Sequence, residues 1–416
     1  MPWLAGTALI HSLAVTDRRG SFRAWTVLLA ITTFALSLLG TFLVRSGVLS
    51  SVHAFATDPA RGVFILVLLT LVIGGSLLLF VLRAARVGPG GTFELLSRES
   101  LLLVNNVLLL TAAGSVLLGT LYPLFLDALG FGKISVGPPY FDAVFVPLAV
   151  PLLFLVGVGP AARWRGESLP DLARRLRGAA LVSVVAATVA VTMLDSWRPL
   201  TGLGLFLALW IAATAASGVV ERVRRARGGW LERLLAQSTS FYGMTLAHLG
   251  VAAAVVGVSL VSGFESEQDV RMKPGDTVPL AGLTLRFDGL SRVEGPNYLA
   301  ARGEFTVVRP DASTFALRPE KRLYNASGMT MTEAAIDPGV TRDIYISLGQ
   351  PLGGGAWSVR VYHKPFVSWI WFGALLAAAG GVLALSDRRY RLRRQGAYRG
   401  AARSACSETA ATPGSA

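Results

Sequence analysis

The sequence predicts a mainly α, polytopic membrane protein of about nine transmembrane helices with one small extracytoplasmic β-rich domain. Three observations carry this expectation. The 416 residues are 53% hydrophobic and only 15% charged, with a mean hydropathy of +0.55, a balance found in membrane chains rather than soluble ones. Long apolar runs recur along the chain, separated by connections that alternate between basic and non-basic. One extended hydrophilic stretch, 263–365, interrupts the pattern near the end.

The apolar runs fall at 2–15, 24–44, 63–82, 101–121, 141–159, 179–194, 202–220, 240–262 and 366–385. Most approach the ~20 residues a helix needs to cross a bilayer. The first run and 179–194 are short. The connections at 17–23, 163–177, 221–233 and 387–394 are basic, as is the segment holding Arg83, Arg86 and Arg98. Those at 45–62, 122–140 and 195–201 are poor in Lys and Arg. Cytoplasmic loops carry the basic excess, so the first set is placed inside, and the alternation runs without conflict through nine spans. The net charge of +14 is then explained by loops facing anionic lipid, not by nucleic acid. Trp25, Trp164, Trp197, Trp230, Trp369 and Trp371 lie near run ends, where interfacial anchors belong.

Residues 1–262 are therefore expected to form a helical bundle of about eight spans, 263–365 the β-rich domain, and 366–386 the last span. Residues 387–416 are basic and then small and polar, a tail that buries too little apolar area to fold. In the hydrophilic stretch, "LTLRFDGL", "GEFTVVR", "DIYISLG" and "WSVRVYHK" alternate as strands. Turn signals separate them at Pro274-Gly275, Gly295-Pro296, Asp337-Pro338-Gly339 and Gly353-Gly354-Gly355. The topology places Met1 outside, at the start of a short run, which predicts that the chain is the later part of a longer protein opened at an internal Met. The start also lacks the basic region and cleavage site of a secretory signal.

Four histidines occur in the chain, and two of them, His11 and His248, lie inside apolar runs. An ionisable group at membrane depth is costly and marks a functional site by default. Imidazole is also a common axial ligand of haem iron. At 1.5 Å per residue, His11 lies ~9 Å from the inner boundary at Asp17, and His248 ~12–15 Å from the start of its run. The matching depth suits one cofactor held between two helices. The alternative is that each imidazole hydrogen-bonds a neighbouring helix. Gly6, Gly243, Gly250 and Gly257 accompany them, the last three every seven residues. Close helix packing is the favoured explanation, and room for a flat macrocycle the other.

His53 lies in a connection assigned outside, free to bind a metal or to be an ordinary surface residue. Arg45 closes the second run and could pair a carboxylate or propionate, or simply reach the interface. Asp58 before Pro59 suits a turn. His363, in "VYHKPF", stands at the junction between the β-rich stretch and the last run. Cys406 is the single cysteine, which excludes an internal disulfide and a thiolate cluster. The sequence has no GxSxG, P-loop, HExxH or CxxCH pattern.

Several stretches carry a family resemblance: "MPWLAGTALIHSLAVTDRRGSFRAWTVLLA", "LSLLGTFLVRSGVLSSVHAFATDPARGVFIL", "GMTLAHLGVA" and "YHKPFVSWIWFGALLAAAGGVLALSDRRYR". Together they resemble the cytochrome c-type biogenesis family CcmF, the haem-lyase subunit of the bacterial Ccm system and part of a haem-handling superfamily. The resemblance runs from residue 1 to about 394. It implies a multi-pass protein of the bacterial inner membrane with its β-rich domain in the periplasm. It implies a structural haem b with His11 and His248 as axial ligands. It also implies a transient second haem at the periplasmic face, with His53 as one ligand, delivered by the chaperone CcmE. That haem is joined to CxxCH thiols of an apocytochrome c presented by CcmH and CcmI, with quinol as a candidate electron donor. Arg45 becomes a candidate propionate partner. No ligand role carries over to His363.

The tryptophan-rich WWD segment of the family, and its first periplasmic ligand histidine, would stand upstream of "MPWL". The chain is thus expected to be the C-terminal portion of such a protein, a fragment or one half of a split pair whose other chain supplies the rest. Alone it is not expected to complete the lyase reaction. Two other functions fit the same residues: a membrane cytochrome b that only transfers electrons, and a cofactor-free assembly scaffold or transporter.

Overall fold

The computed structural model describes residues 1–46, 59–88, 91–194 and 198–387. The chain divides into two compact units, Met1–Leu181 and Val182–Ala416, with helix α6 (Leu169–Thr192) running through the division.

The first unit is helical: α1 (Pro2–Arg19), α2 (Arg23–Arg45), α3 (Pro59–Val87), α4 (Arg98–Ala128), α5 (Pro138–Val158) and the start of α6. Helix α1 packs on α2 and α4, α2 on α3, and α4 on α5. The α1–α2 corner is tight because Gly20, at φ 70°, caps α1 and donates its N–H to the Thr16 carbonyl at 2.9 Å. A hydroxyl cluster closes the corner. Ser12 and Thr16 each bond the Thr26 hydroxyl, at 2.7 and 2.9 Å. Alanines let the helices approach: Ala8, Ala112 and Ala113 share one buried cluster with Leu4, Leu29 and Leu109. Trp25 packs against it, so this tryptophan turns inward instead of serving only as an interfacial anchor.

Among the described residues, eight helices, α2 to α7, α9 and α10, are long and apolar enough to cross a membrane. Helix α1 forms as expected, but Asp17, Arg18 and Arg19 occupy its last turn, which leaves its apolar part short. The short run at 179–194 lengthens into a full span because the helix begins earlier, at Leu169, and takes in the basic segment before it.

The second unit holds the rest of α6, α7 (Pro199–Arg225), the short α8 (Trp230–Leu235), α9 (Thr239–Phe264), ten strands and α10 (Ser368–Leu385). Helices α9 and α10 meet along a glycine seam. A Cβ on Gly243 would come within 2.5 Å of Ala384 N and Gly380 O, and one on Gly250 within 2.5 Å of Ala377 N and Gly373 O. The seven-residue glycine repeat therefore serves close packing, the explanation the sequence favoured. Helix α7 runs antiparallel to α9, with Gly204 against Ser259 and Arg222 over the Phe241 ring.

The strands form a sandwich of two antiparallel sheets. One has the order β1 (Ser266–Met272), β10 (Ala356–Pro365), β9 (Arg342–Gly353), β8 (Ala335–Asp337). The other has the order β2 (Thr277–Leu280), β3 (Leu283–Glu294), β4 (Tyr298–Val308), β6 (Glu320–Tyr324), β7 (Thr330–Glu333), with β5 (Thr314–Leu317) also on β4. The four alternating stretches of the sequence lie on β3, β4, β9 and β10. Their inward residues build the core, where Phe287 and Phe305 stack at 4.7 Å beside Met272, Leu285, Ile346, Leu348 and Val361. Gly353, Gly354 and Gly355 all have positive φ, at 79°, 58° and 76°, so this triplet makes the β9–β10 turn, as its spacing predicts.

Candidate functional site

His11 lies on α1 one residue before the buried Ser12, at the edge of the face that packs on α2 and α4. Its Nδ1 is 2.9 Å from Nδ2 of Asn105 on α4. The contact is fixed from both sides on the same helix pair. Toward one end, Leu4 and Ala8 pack with Leu109, Ala112 and Ala113. Toward the other, the Arg19 guanidinium meets the fully buried Glu99 carboxylate at 2.8 Å. With Nδ1 engaged, Nε2 is the ring nitrogen left for a further partner. The imidazole is half-buried, and its neighbours Ile10 and Leu13 are 66% and 48% exposed.

Glu99 joins α1 and α4 to a third segment. Its two oxygens also accept the Arg165 backbone N–H, at 3.2 and 3.1 Å. Backbone bonds from Glu94 to Arg165, Arg98 to Arg163 and Glu167 to Leu96 knit the connections before α4 and after α5 together. Arg175 closes the knot on Glu167 at 2.8 Å. These basic connections thus have a structural task that charge counting alone did not show.

Next to Asn105, Asn106 is fully buried, and neither amide atom has a hydrogen-bond partner among the described residues. The indole N–H of Trp25 is likewise buried without one. A buried polar group without a partner costs about 1–3 kcal/mol, so this part of the first unit is unusually polar for its depth. Sequence reasoning singled out His11 and missed both asparagines. The signal was available in "LLLVNNVLLL", two adjacent amides inside an apolar run.

His248 lies on α9 in the second unit, two residues before Gly250. At about 100° per residue it is turned well away from the glycine seam and so from α10. The antiparallel register set by Gly204–Ser259 and Arg222–Phe241 places it level with the small-residue run Ala212–Ala216 of α7. His11 and His248 therefore belong to different units, each on a helix flanked by small residues.

Arg45 is exposed in the last turn of α2, where the start of α3 comes close: a Cβ on Gly62 would stand 3.0 Å from Ser46 Cα. His53 and Asp58 lie outside the described residues. His363 is in β10, paired with Ser266 of β1 and Ile344 of β9. Burial, and then the Arg342 guanidinium, push its pKa below the usual histidine value. Its surroundings form a braced junction: Lys364 meets Glu265 at 3.0 Å, and the Trp369 indole donates to the Val340 carbonyl at 3.1 Å. Among the described residues, no group of three or more His, Cys, Asp or Glu side chains could hold a metal ion.

A family model for the CcmF C-terminal beta-sandwich matches residues 263–365. The cytochrome c-type biogenesis protein CcmF of Pseudomonas aeruginosa is 51% identical over 393 residues, covering 94% of this chain and 60% of that protein. The chain matches proteins of the CcmF family over nearly its whole length. Its Escherichia coli relative, of the same name, is 49% identical over 399 residues, again with 94% of this chain and 60% of the relative covered. A solved structure titled "Cytochrome c Heme Lyase CcmF" superposes with a TM-score of 0.71 at 26% identity, covering 93% of this chain and 58% of that one. The chain thus spans about 60% of the length of the curated relatives it matches. The resemblance seen in the sequence, and the fold of membrane helices with a β-sandwich, are those of this family.

Proposed function

We propose that this chain works in cytochrome c maturation as part of a haem lyase of the bacterial inner membrane. In this reading it holds haem b between His11 and His248 and presents its β-sandwich to the periplasm. The observation that carries the proposal is the braced imidazole of His11. A neutral ring with one nitrogen tied to a buried amide and the other left for a further partner fits an axial ligand. Ligating histidines characteristically donate their second ring N–H to an outer acceptor, and the Asn105 amide, 2.9 Å from Nδ1, carries an oxygen that fills this role when it turns to the ring. The likeness to proteins named as CcmF and as cytochrome c haem lyase supports the same reading.

Bound haem b would supply one-electron redox chemistry, its potential tuned by axial ligation and burial. The chain's own residues bind and orient. His11 and His248 fix the macrocycle between helices. Arg45, exposed at the end of α2, offers a guanidinium to a propionate of the haem brought to the periplasmic face. His53, a few residues later in the chain, ligates that substrate haem. CcmE would deliver it, and apocytochrome c held by CcmH and CcmI would receive it through thioether bonds between haem vinyl groups and CxxCH thiols. Holding the reactants in a fixed geometry supplies much of the acceleration such a bond formation needs. Quinol is the proposed electron donor.

Reduced-minus-oxidised spectra of the purified chain in detergent, with pyridine haemochrome quantification, test this. A single non-covalent haem b that is lost in His11→Ala and in His248→Ala is expected. An unchanged spectrum in both variants overturns the ligand assignment.

A further inference from the structure

We infer that Asn105 is a positioning residue for His11, and that the way its amide faces the ring sets which nitrogen of the imidazole carries the proton. The inference rests on the proposed ligand role of His11 and adds a residue to it. Asn105 is 5% exposed, so water does not readily replace it as the partner of Nδ1. The helices that carry the pair are pinned on both sides of it, by Arg19–Glu99 and by the Leu4, Ala8, Leu109, Ala112 cluster. The 2.9 Å spacing is therefore a property of the helix pair rather than of two mobile side chains.

The chemistry follows from the two ring nitrogens. A neutral imidazole has one N–H and one lone pair. With the Asn105 NH2 group facing Nδ1, Nδ1 accepts and the proton sits on Nε2. A metal bound through Nε2 needs that lone pair, so the proton must reside on Nδ1, and Nδ1 then needs an acceptor. A half-turn of the Asn105 amide puts Oδ1 where Nδ2 was and supplies that acceptor at the same distance. An amide serves both states; a carboxylate serves only the ligating one, and an aliphatic chain neither. The ring's proton count is the same before and after the exchange: Nε2 gives a proton to water and Nδ1 takes one from it.

Two variants and two readouts test this on the full chain in detergent. Nitrogen NMR of protein labelled at histidine, with His11→Ala for assignment, reports the tautomer without haem. The Nε2–H form is expected in the starting protein and the Nδ1–H form in Asn105→Asp. Haem titration and redox potentiometry report the ligating state. Asn105→Asp should keep haem b and lower its midpoint potential, because a carboxylate on Nδ1–H makes the ligand more basic. Asn105→Leu should weaken haem binding by about 10–100-fold, as loss of such outer partners typically does. The same tautomer in the starting protein and Asn105→Asp overturns the inference. So does a potential and haem affinity unmoved in both variants while His11→Ala abolishes binding. If His11→Ala retains haem, the ligand assignment fails instead, and the tautomer readout still decides the Asn105–His11 pairing.

Discussion

The membrane helices and the β-sandwich treat polar groups in opposite ways. In the sandwich, an apolar cluster is built around Phe287 and Phe305, and charges pair on the sheet faces: Arg360 with Asp269 in the open, and Arg302 and Arg322 over the more covered Glu320. In the helices, large apolar chains such as Phe64, Leu71, Val81 and Leu82 face outward, at 68%, 68%, 68% and 73% exposure. There the polar groups turn inward: Ser12 with Thr26, His11 with Asn105, Arg19 with Glu99. The difference follows from the surroundings. Water satisfies a surface charge at little cost, whereas a bilayer leaves each polar group to find its partner inside the protein. A polar pair should therefore matter more in the helices than an equivalent pair in the sandwich.

The largest effect is expected at Arg19→Leu. Among the described residues it leaves the buried Glu99 carboxylate with the Arg165 N–H as its remaining partner, and breaking a buried pair from one side costs about 3–5 kcal/mol. Thermal inactivation in detergent should show a clear drop, and removing Glu99 as well should recover part of it. A loss no greater than for a surface pair would break the comparison.

Glycine sharpens it at a second level. Gly250→Val would drive a side chain into the α10 backbone, and overpacking of this kind costs about 1–3 kcal/mol. At Gly354 of the sandwich nothing lies within 4 Å and only the left-handed backbone, φ +58°, opposes a side chain. Gly354→Ala should thus cost less, about 1 kcal/mol, and Gly354→Asn, which tolerates that conformation, less still. Equal melting shifts for Gly250→Val and Gly354→Asn would contradict the distinction between space and φ.

Glu320 carries a pH dependence into the comparison. Burial alone would raise its pKa, but hydrogen bonds from Arg322 and Arg302 outweigh burial and hold it below the usual carboxylate range. A depressed folded-state pKa contributes stability above the unfolded value, about 4.3 for glutamate. That stability is lost as pH falls through the folded value. Glu320→Gln should cost about 1–2 kcal/mol at neutral pH, since Arg302 and Arg322 are 32% and 26% exposed and water takes over much of the role. It should also flatten the fall in stability below pH ~4.3. An acid limb identical to that of the starting protein would remove Glu320 as its source.

Local pattern and composition made much of this molecule legible. The apolar runs gave the helices because a bilayer-length run has few other ways to satisfy its backbone. The alternation in 283–290, 303–309, 343–349 and 357–364 gave the central strands because alternate residues share a face. The short strands β2, β5, β6, β7 and β8 were not legible, since three to five residues show too little alternation and their pairing is set by partners far along the chain. His11 stood out in the sequence because an imidazole is rare in an apolar run. Its partner did not, because Asn105 lies 94 residues away and on another helix.

By itself the sequence determined the class of protein, the helices and the central strands, and which histidines to ask about, since those depend on residue type and on neighbours within a few turns. Only the tertiary structure decided what each polar group answers to. It showed that the glycine repeat fits α10, that the basic loops are knotted on Glu99 and Glu167, and that Asn105 holds the ring of His11. Those are pairings between distant segments, fixed by which helices can approach closely enough to touch, and no local pattern encodes that distance.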